Sequence, residues 1–142
     1  MATIALVDDD RDFTSLVSEL LRLQGWNVVV CNEERDAVRC VRDGHADLVI
    51  LDIRMSTRQS GWTILEELQD DPSTRALPVI VCSAALDDIR QRRAWLDERG
   101  IATLAKPFDI DDLLQLVEKM LPDGGSDGAS KEIGTNGDKR NG

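Results

Sequence analysis

Four short apolar runs in this chain each stop at a residue carrying a charge or a hydroxyl. Ile4-Ala5-Leu6-Val7 stops at Asp8-Asp9, and Leu48-Val49-Ile50-Leu51 stops at Asp52. Val79-Ile80-Val81-Cys82 stops at Ser83, and Thr103-Leu104-Ala105 stops at Lys106-Pro107. Unbroken aliphatic runs, rather than alternating ones, mark strands buried on both faces, the condition met inside parallel sheets. If these strands run parallel, every polar ending leaves the sheet at the same edge. In open α/β sheets that edge is where chemistry is placed.

Helical patterns separate the runs. Phe13, Leu16, Val17, Leu20 and Leu21 share one helical face that ends near Gly25, and Val28-Val29-Val30 then reads as a second strand. Ala37, Cys40 and Val41 mark a short helix closed by Gly44, and Ile64, Leu65 and Leu68 mark another that stops before Pro72. Leu86, Ile89 and Leu96 predict a single weakly amphipathic helix from Leu86 to Glu98, with Arg92 and Arg93 at core-like positions. Leu113, Leu116, Val117 and Met120 predict the last helix. Five βα units in about 120 residues fit a doubly wound α/β sheet, flavodoxin-like, of five parallel strands in the order 2-1-3-4-5. A barrel needs eight units and about 250 residues. The crossovers are expected to be right-handed. The domain is expected to span residues 1–121. Residues 122–142 are rich in Gly, Ser, Asp and Lys, with Ile133 their one large aliphatic, and read as a disordered tail.

Composition narrows the functional classes. The formal net charge is −10, from 17 basic and 27 acidic residues, which argues against a nucleic-acid surface. No stretch approaches the roughly 20 apolar residues of a membrane span. A first strand reached by Ile4 leaves no room for a signal peptide, so a cytoplasmic location is expected. Cys31, Cys40 and Cys82 are odd in number and show no Cys-x-x-Cys spacing, and all three are expected to be reduced core residues.

The polar endings carry the chemistry. Carboxylates about 4 Å apart repel by roughly 1 kcal/mol in water and about 4 kcal/mol near a protein surface. Packing gives no reason to gather Asp8, Asp9 and Asp52, whereas a hard divalent cation does. All-oxygen donors favour magnesium over zinc. The single histidine, His45, sits at the far end of the Asp52 strand, on the order of 15–20 Å away, and reads as a turn residue. Ser83 supplies a hydroxyl and Lys106 an ammonium for the oxygens of a tetrahedral anion, which is the equipment of phosphoryl transfer. Asp52 is the candidate nucleophile. Plainer roles exist for each group: helix capping by Asp10, a turn at Asp52, a cap at Ser83, a solvated lysine at Lys106. Glu33-Glu34-Arg35 and Arg90-Gln91-Arg92-Arg93 read as solvated helix faces.

Leu6-Val7-Asp8-Asp9-Asp10, Leu51-Asp52-Ile53-Arg54-Met55, Pro78 to Ala84 and Lys106-Pro107-Phe108, in that order on successive strand ends, resemble the receiver domain of two-component response regulators, in particular the stand-alone, chemotaxis-regulator-like type. The resemblance spans residues 3–121. It implies that Asp52 accepts a phosphoryl group from a sensor histidine kinase or phosphotransfer protein. It further implies that Asp8, Asp9, Asp52 and the Arg54 carbonyl hold Mg2+, that Lys106 pairs with the phosphorylated aspartate across a cis Lys106-Pro107 bond, and that Ser83 swings toward the phosphoryl group. Output is then contact with a downstream target protein, with no nucleic acid and no membrane involved, and the only catalysis is of the chain's own phosphorylation and dephosphorylation.

Three departures stand out. Ser56 replaces the usual proline, and the loop Ser56-Thr57-Arg58-Gln59-Ser60 to Gly61 is one residue longer than usual. Thr103 replaces an aromatic switch residue of the last strand, which implies a weaker or differently built switch. Arg54 and Ala85 flank the acceptor, and slow self-dephosphorylation is expected. The face formed by the Leu86–Glu98 helix, the last strand and the final helix is the expected partner surface. Among other classes, an aspartate-nucleophile phosphatase needs an acid where Arg54 stands. A flavodoxin-like cofactor binder needs a phosphate-cradling loop where Asp8-Asp9-Asp10 stands. A receiver-like scaffold that works without phosphorylation is the remaining alternative.

Overall fold

The computed structural model describes residues 1–55 and 60–121. The strands are β1 (Thr3–Val7), β2 (Asn27–Cys31), β3 (Leu48–Asp52), β4 (Val79–Ser83) and β5 (Ala102–Ala105), all parallel in the order β2-β1-β3-β4-β5. The helices are α1 (Arg11–Leu23), α2 (Ala37–Asp43), α3 (Ser60–Asp70), α4 (Leu86–Gln91), α5 (Arg93–Glu98) and α6 (Ile110–Met120). This is the doubly wound sheet expected from the apolar runs. The proposed tail and the loop at 56–59 lie outside the described residues.

The pleat divides each apolar run between two cores, because successive side chains leave a strand on opposite faces. Ala5, Val7, Val49, Leu51, Val79 and Val81 face Val41, Leu65, Leu68 and Leu96 of α2, α3 and α5. Ile4, Leu6, Leu48, Ile50, Ile80 and Cys82 face Val17 and Leu21 of α1 and Leu113 and Val117 of α6. β3 and β4 are buried along their whole length, so both of their faces must be apolar. That requirement is what the unbroken runs encode.

Two expectations are corrected. The helix predicted from Leu86 to Glu98 is two helices, because Arg92 leaves helical geometry (φ −110°, ψ 17°). Its guanidinium lies 4.6 Å from the centroid of the Trp62 ring and 3.0 Å from the Glu66 carboxylate. The arginine at a core-like position thus covers α3 instead of entering the core. Of the three cysteines only Cys82 is a thiol; Cys31 and Cys40 form a disulfide. The β2–α2 crossover sets the first turns of α2 beside the end of β2, with the two Cα atoms 6.1 Å apart. A separation of nine residues in sequence gives no hint of that proximity.

Candidate functional site

Register assembles the site. β1 pairs with β3 so that Val7 lies opposite Leu51, and the next residue on each strand is an aspartate, Asp8 and Asp52. β3 pairs with β4 through Asp52 and Cys82, and β4 with β5 through Ser83 and Ala105, which places Ser83 and Lys106 at the same edge. Lys106 donates its backbone N–H to the Ser83 carbonyl at 3.0 Å. The Lys106-Pro107 peptide is cis, as the resemblance implied.

Asp8 is 1% exposed and held on every side. Its Oδ1 accepts from the Asp10 N–H at 3.0 Å and its Oδ2 from Lys106 Nζ at 2.8 Å. Asp9 points to solvent, and one carboxylate oxygen from each of Asp8, Asp9 and Asp52 lies within 4.8 Å of the others. Asp10 serves as the N-cap of α1, its carboxylate accepting from the Phe13 N–H at 3.1 Å. The three-aspartate run therefore divides into two site residues and one cap.

Asp52 Oδ1 accepts from the Arg54 N–H at 3.1 Å, and Oδ2 lies 3.5 Å from Lys106 Nζ. Burial, then the neighbouring charge of Asp8, pushes the Asp52 carboxyl up to about 6, against the pull of Lys106 and the Arg54 N–H. For Lys106, burial would lower the ammonium's affinity for its proton. The Asp8 hydrogen bond and charge, then Asp52, outweigh it and hold the ammonium above its ordinary value. The ammonium also sits 4.0 Å from the centroid of the Phe13 ring. Ser83 is fully buried, and its Oγ accepts from the Ala85 N–H at 2.9 Å. Burial pushes the adjacent Cys82 thiol up to about 12, so it stays protonated and inert.

The donor set fits a magnesium ion: three carboxylates converge with no imidazole or thiolate among them. Gly61 holds the start of α3 against Ile53, one residue beyond Asp52. Its N–H donates to the Ile53 carbonyl at 2.8 Å, and a Cβ there would overlap the Ile53 backbone.

Every site residue expected from sequence thus lies at one edge: Asp8, Asp9, Asp52, Arg54, Ser83 and Lys106. Three supporting residues carried no signal in the sequence. Asn32 donates its side-chain amide to the Asp8 carbonyl at 2.7 Å and to Thr14 Oγ1 at 3.0 Å. Asp88, in the first turn of α4, takes the Arg54 guanidinium at 3.0 Å. Phe13 read only as part of a core face. Thr103 accepts from the Arg93 guanidinium at 3.3 Å, where the resemblance led one to look for a buried aromatic.

With this geometry in place, the comparisons with known proteins are unambiguous. The response regulator receiver domain model matches residues 4–118, and the chain belongs to that family. It is 35% identical over 121 residues to the transcriptional regulatory protein CpxR of Klebsiella pneumoniae, covering 85% of this chain and 50% of that protein. It is 30% identical to the probable transcriptional regulatory protein TcrX of Mycobacterium tuberculosis, covering 84% of this chain and 49% of that one. The chain thus spans about half the length of these curated relatives. Among solved structures, response regulator TrrA from Thermotoga maritima in complex with Mg2+–BeF superposes with a TM-score of 0.70 at 26% identity, covering 85% of this chain and 100% of that one.

Proposed function

We propose that this receiver domain takes a phosphoryl group onto Asp52 from a phosphohistidine of a sensor histidine kinase or phosphotransfer protein, and passes the signal on by contact with a further protein. The observation that carries the reading is the convergence of the Asp52 carboxylate, 3.5 Å from Lys106 Nζ, with Asp8 and Asp9 inside a 4.8 Å cluster. Folding alone does not favour such crowding.

An Asp52 carboxylate oxygen attacks phosphorus, the P–N bond to the donor imidazole breaks, and its electron pair returns to that ring, which takes up a proton. Asp8, Asp9 and Asp52, with the Arg54 carbonyl, would hold Mg2+, whose charge would offset that of the phosphoryl oxygens. Lys106, already between Asp8 and Asp52, neutralises a further oxygen. Ser83 leaves its Ala85 contact to donate to another. Ala85 and Arg54 place no carboxylate or amide beside the phosphoryl group to orient a water, which supports slow loss of the group. An apolar groove of about 390 Å³, lined by Phe13, Leu16, Val17, Leu20, Phe108 and Ile110, adjoins Lys106 and offers the donor an apolar contact face.

Incubation with Mg2+ and acetyl phosphate is expected to add one phosphoryl mass to the intact protein, and Asp52→Asn is expected to abolish it. If wild type gained nothing with any donor, the scaffold reading would replace this one. An intracellular location and a signalling role without enzymatic turnover on other substrates belong to the same proposal.

A further inference from the structure

The β2–α2 connection is bound to the acidic pocket more tightly than its exposure would suggest. The Cys31 carbonyl accepts from the Asp8 N–H at 3.1 Å. The next residue, Asn32, donates to the Asp8 carbonyl at 2.7 Å, so the backbone of Asp8 is gripped through both its N–H and its C=O. Glu33 then accepts from the Arg11 guanidinium at 2.7 Å. Between Cys31 and Ala37 no side chain is buried, and neither the 3₁₀ turn at Glu34–Asp36 nor α2 has a side-chain N-cap. The covalent tie that closes this span is the Cys31–Cys40 disulfide.

We propose that Cys31 and Cys40 form a thiol–disulfide exchange site, with a dithiol as co-substrate, whose state sets the metal affinity of the Asp8–Asp9–Asp52 pocket. The proposal rests on the reading of that pocket as a magnesium site. Groups that orient metal ligands from behind change affinity when they move, and here the group behind Asp8 is the residue next to a disulfide sulfur. Reversible disulfides are the form in which such bonds act in reducing compartments.

Exchange proceeds at Cys40, which is half-buried, while Cys31 is 3% exposed. A thiolate of the dithiol attacks Cys40 Sγ, the S–S bond breaks, and its electron pair leaves on Cys31, which is protonated. The second thiolate attacks the mixed disulfide at the dithiol's own sulfur, and Cys40 departs as a thiolate and takes up a proton. The dithiol ends as a disulfide, and two electrons and two protons have moved to the protein. Cys82 is 1% exposed and lies in the opposite core, so it does not compete for either sulfur.

The full chain, air-oxidised or reduced with dithiothreitol, is alkylated under denaturing conditions and weighed. It is then compared native in two ways: amide exchange over residues 8–14 without metal, and Mg2+ titration by calorimetry. The expected results are one blocked thiol in the oxidised form and three in the reduced form. Reduction is further expected to speed exchange at residues 8–14 and to weaken Mg2+ binding by about tenfold. Cys40→Ser, with two blocked thiols under either condition, is expected to match the reduced form in amide exchange and Mg2+ affinity. Three free thiols after oxidation, or the same Mg2+ affinity in both forms, overturns the proposal and leaves the receiver reading intact. Mg2+ binding in neither form overturns the proposal together with the metal-site reading on which it rests.

Discussion

Lys106 stands between two carboxylates that would otherwise face each other, and the balance of the site turns on it. Asp8 is 1% exposed and receives the ammonium at 2.8 Å, so Lys106→Met leaves a buried carboxylate without its cation. A loss of roughly 3 kcal/mol in metal-free urea unfolding is expected, partly restored by Mg2+. Asp52 behaves oppositely. Its carboxyl lies near 6 rather than 3.8, so the folded protein holds this proton more tightly than the unfolded chain does. The penalty for ionising it is absent at low pH, grows between 3.8 and about 6, and is full above that window. Metal-free Asp52→Asn is therefore expected to be more stable than wild type at neutral pH by about 1–3 kcal/mol. The advantage should vanish as pH falls toward 4 (a constant difference across this range would contradict the account).

Among the elements, the residues that follow β3 and β4, Ile53 to Met55 and Ala84 to Ala85, lie beside the proposed site. Gly61→Ala forces a methyl group into the Ile53 backbone, and a cost of about 2 kcal/mol or more is expected in thermal unfolding. The helix α4 has six residues and no side-chain cap at its start. It is tied to the site by the Ala85 N–H to Ser83 Oγ bond and by the Arg54–Asp88 pair at 3.0 Å. Arg54 is half exposed, so the pair contributes no more than about 1 kcal/mol. Asp88→Asn is accordingly expected to speed amide exchange in residues 86–91 a few-fold and leave β4 unchanged. Both ties end on groups with reason to turn toward a phosphoryl group, which gives α4 a route to respond without an aromatic at Thr103. The strand elements were legible because a strand buried on both faces leaves an unbroken apolar run. The break at Arg92 was not, because a cation settling on Trp62 is a tertiary event without a periodic trace. Asn32 was equally silent, since its role depends on β2 lying beside β1.

In the whole molecule, one register decides the site. Parallel pairing of β2-β1-β3-β4-β5 turns four sequence-distant endings into one pocket, so the candidate residues could be read from the ends of the runs before any distance was known. The Cys31–Cys40 disulfide and the Arg54–Asp88 pair escaped the same reading because they join segments by crossover geometry alone. Ligand linkage gives a global test: at a Mg2+ concentration ten times its dissociation constant, stability should rise by about 1.4 kcal/mol, and Asp9→Asn should diminish the gain.

The most direct measurement concerns the address of the phosphoryl group. The protein is treated with Mg2+ and acetyl phosphate, reduced with borohydride, which converts an acyl phosphate to an alcohol, and digested for peptide mapping. Conversion of Asp52 to homoserine, and of no other carboxylate, is the expected result. Conversion at Asp8 or Asp9, phosphate retained on Ser83, or no modification of wild type under any donor would contradict the assignment of Asp52 as the phosphoacceptor.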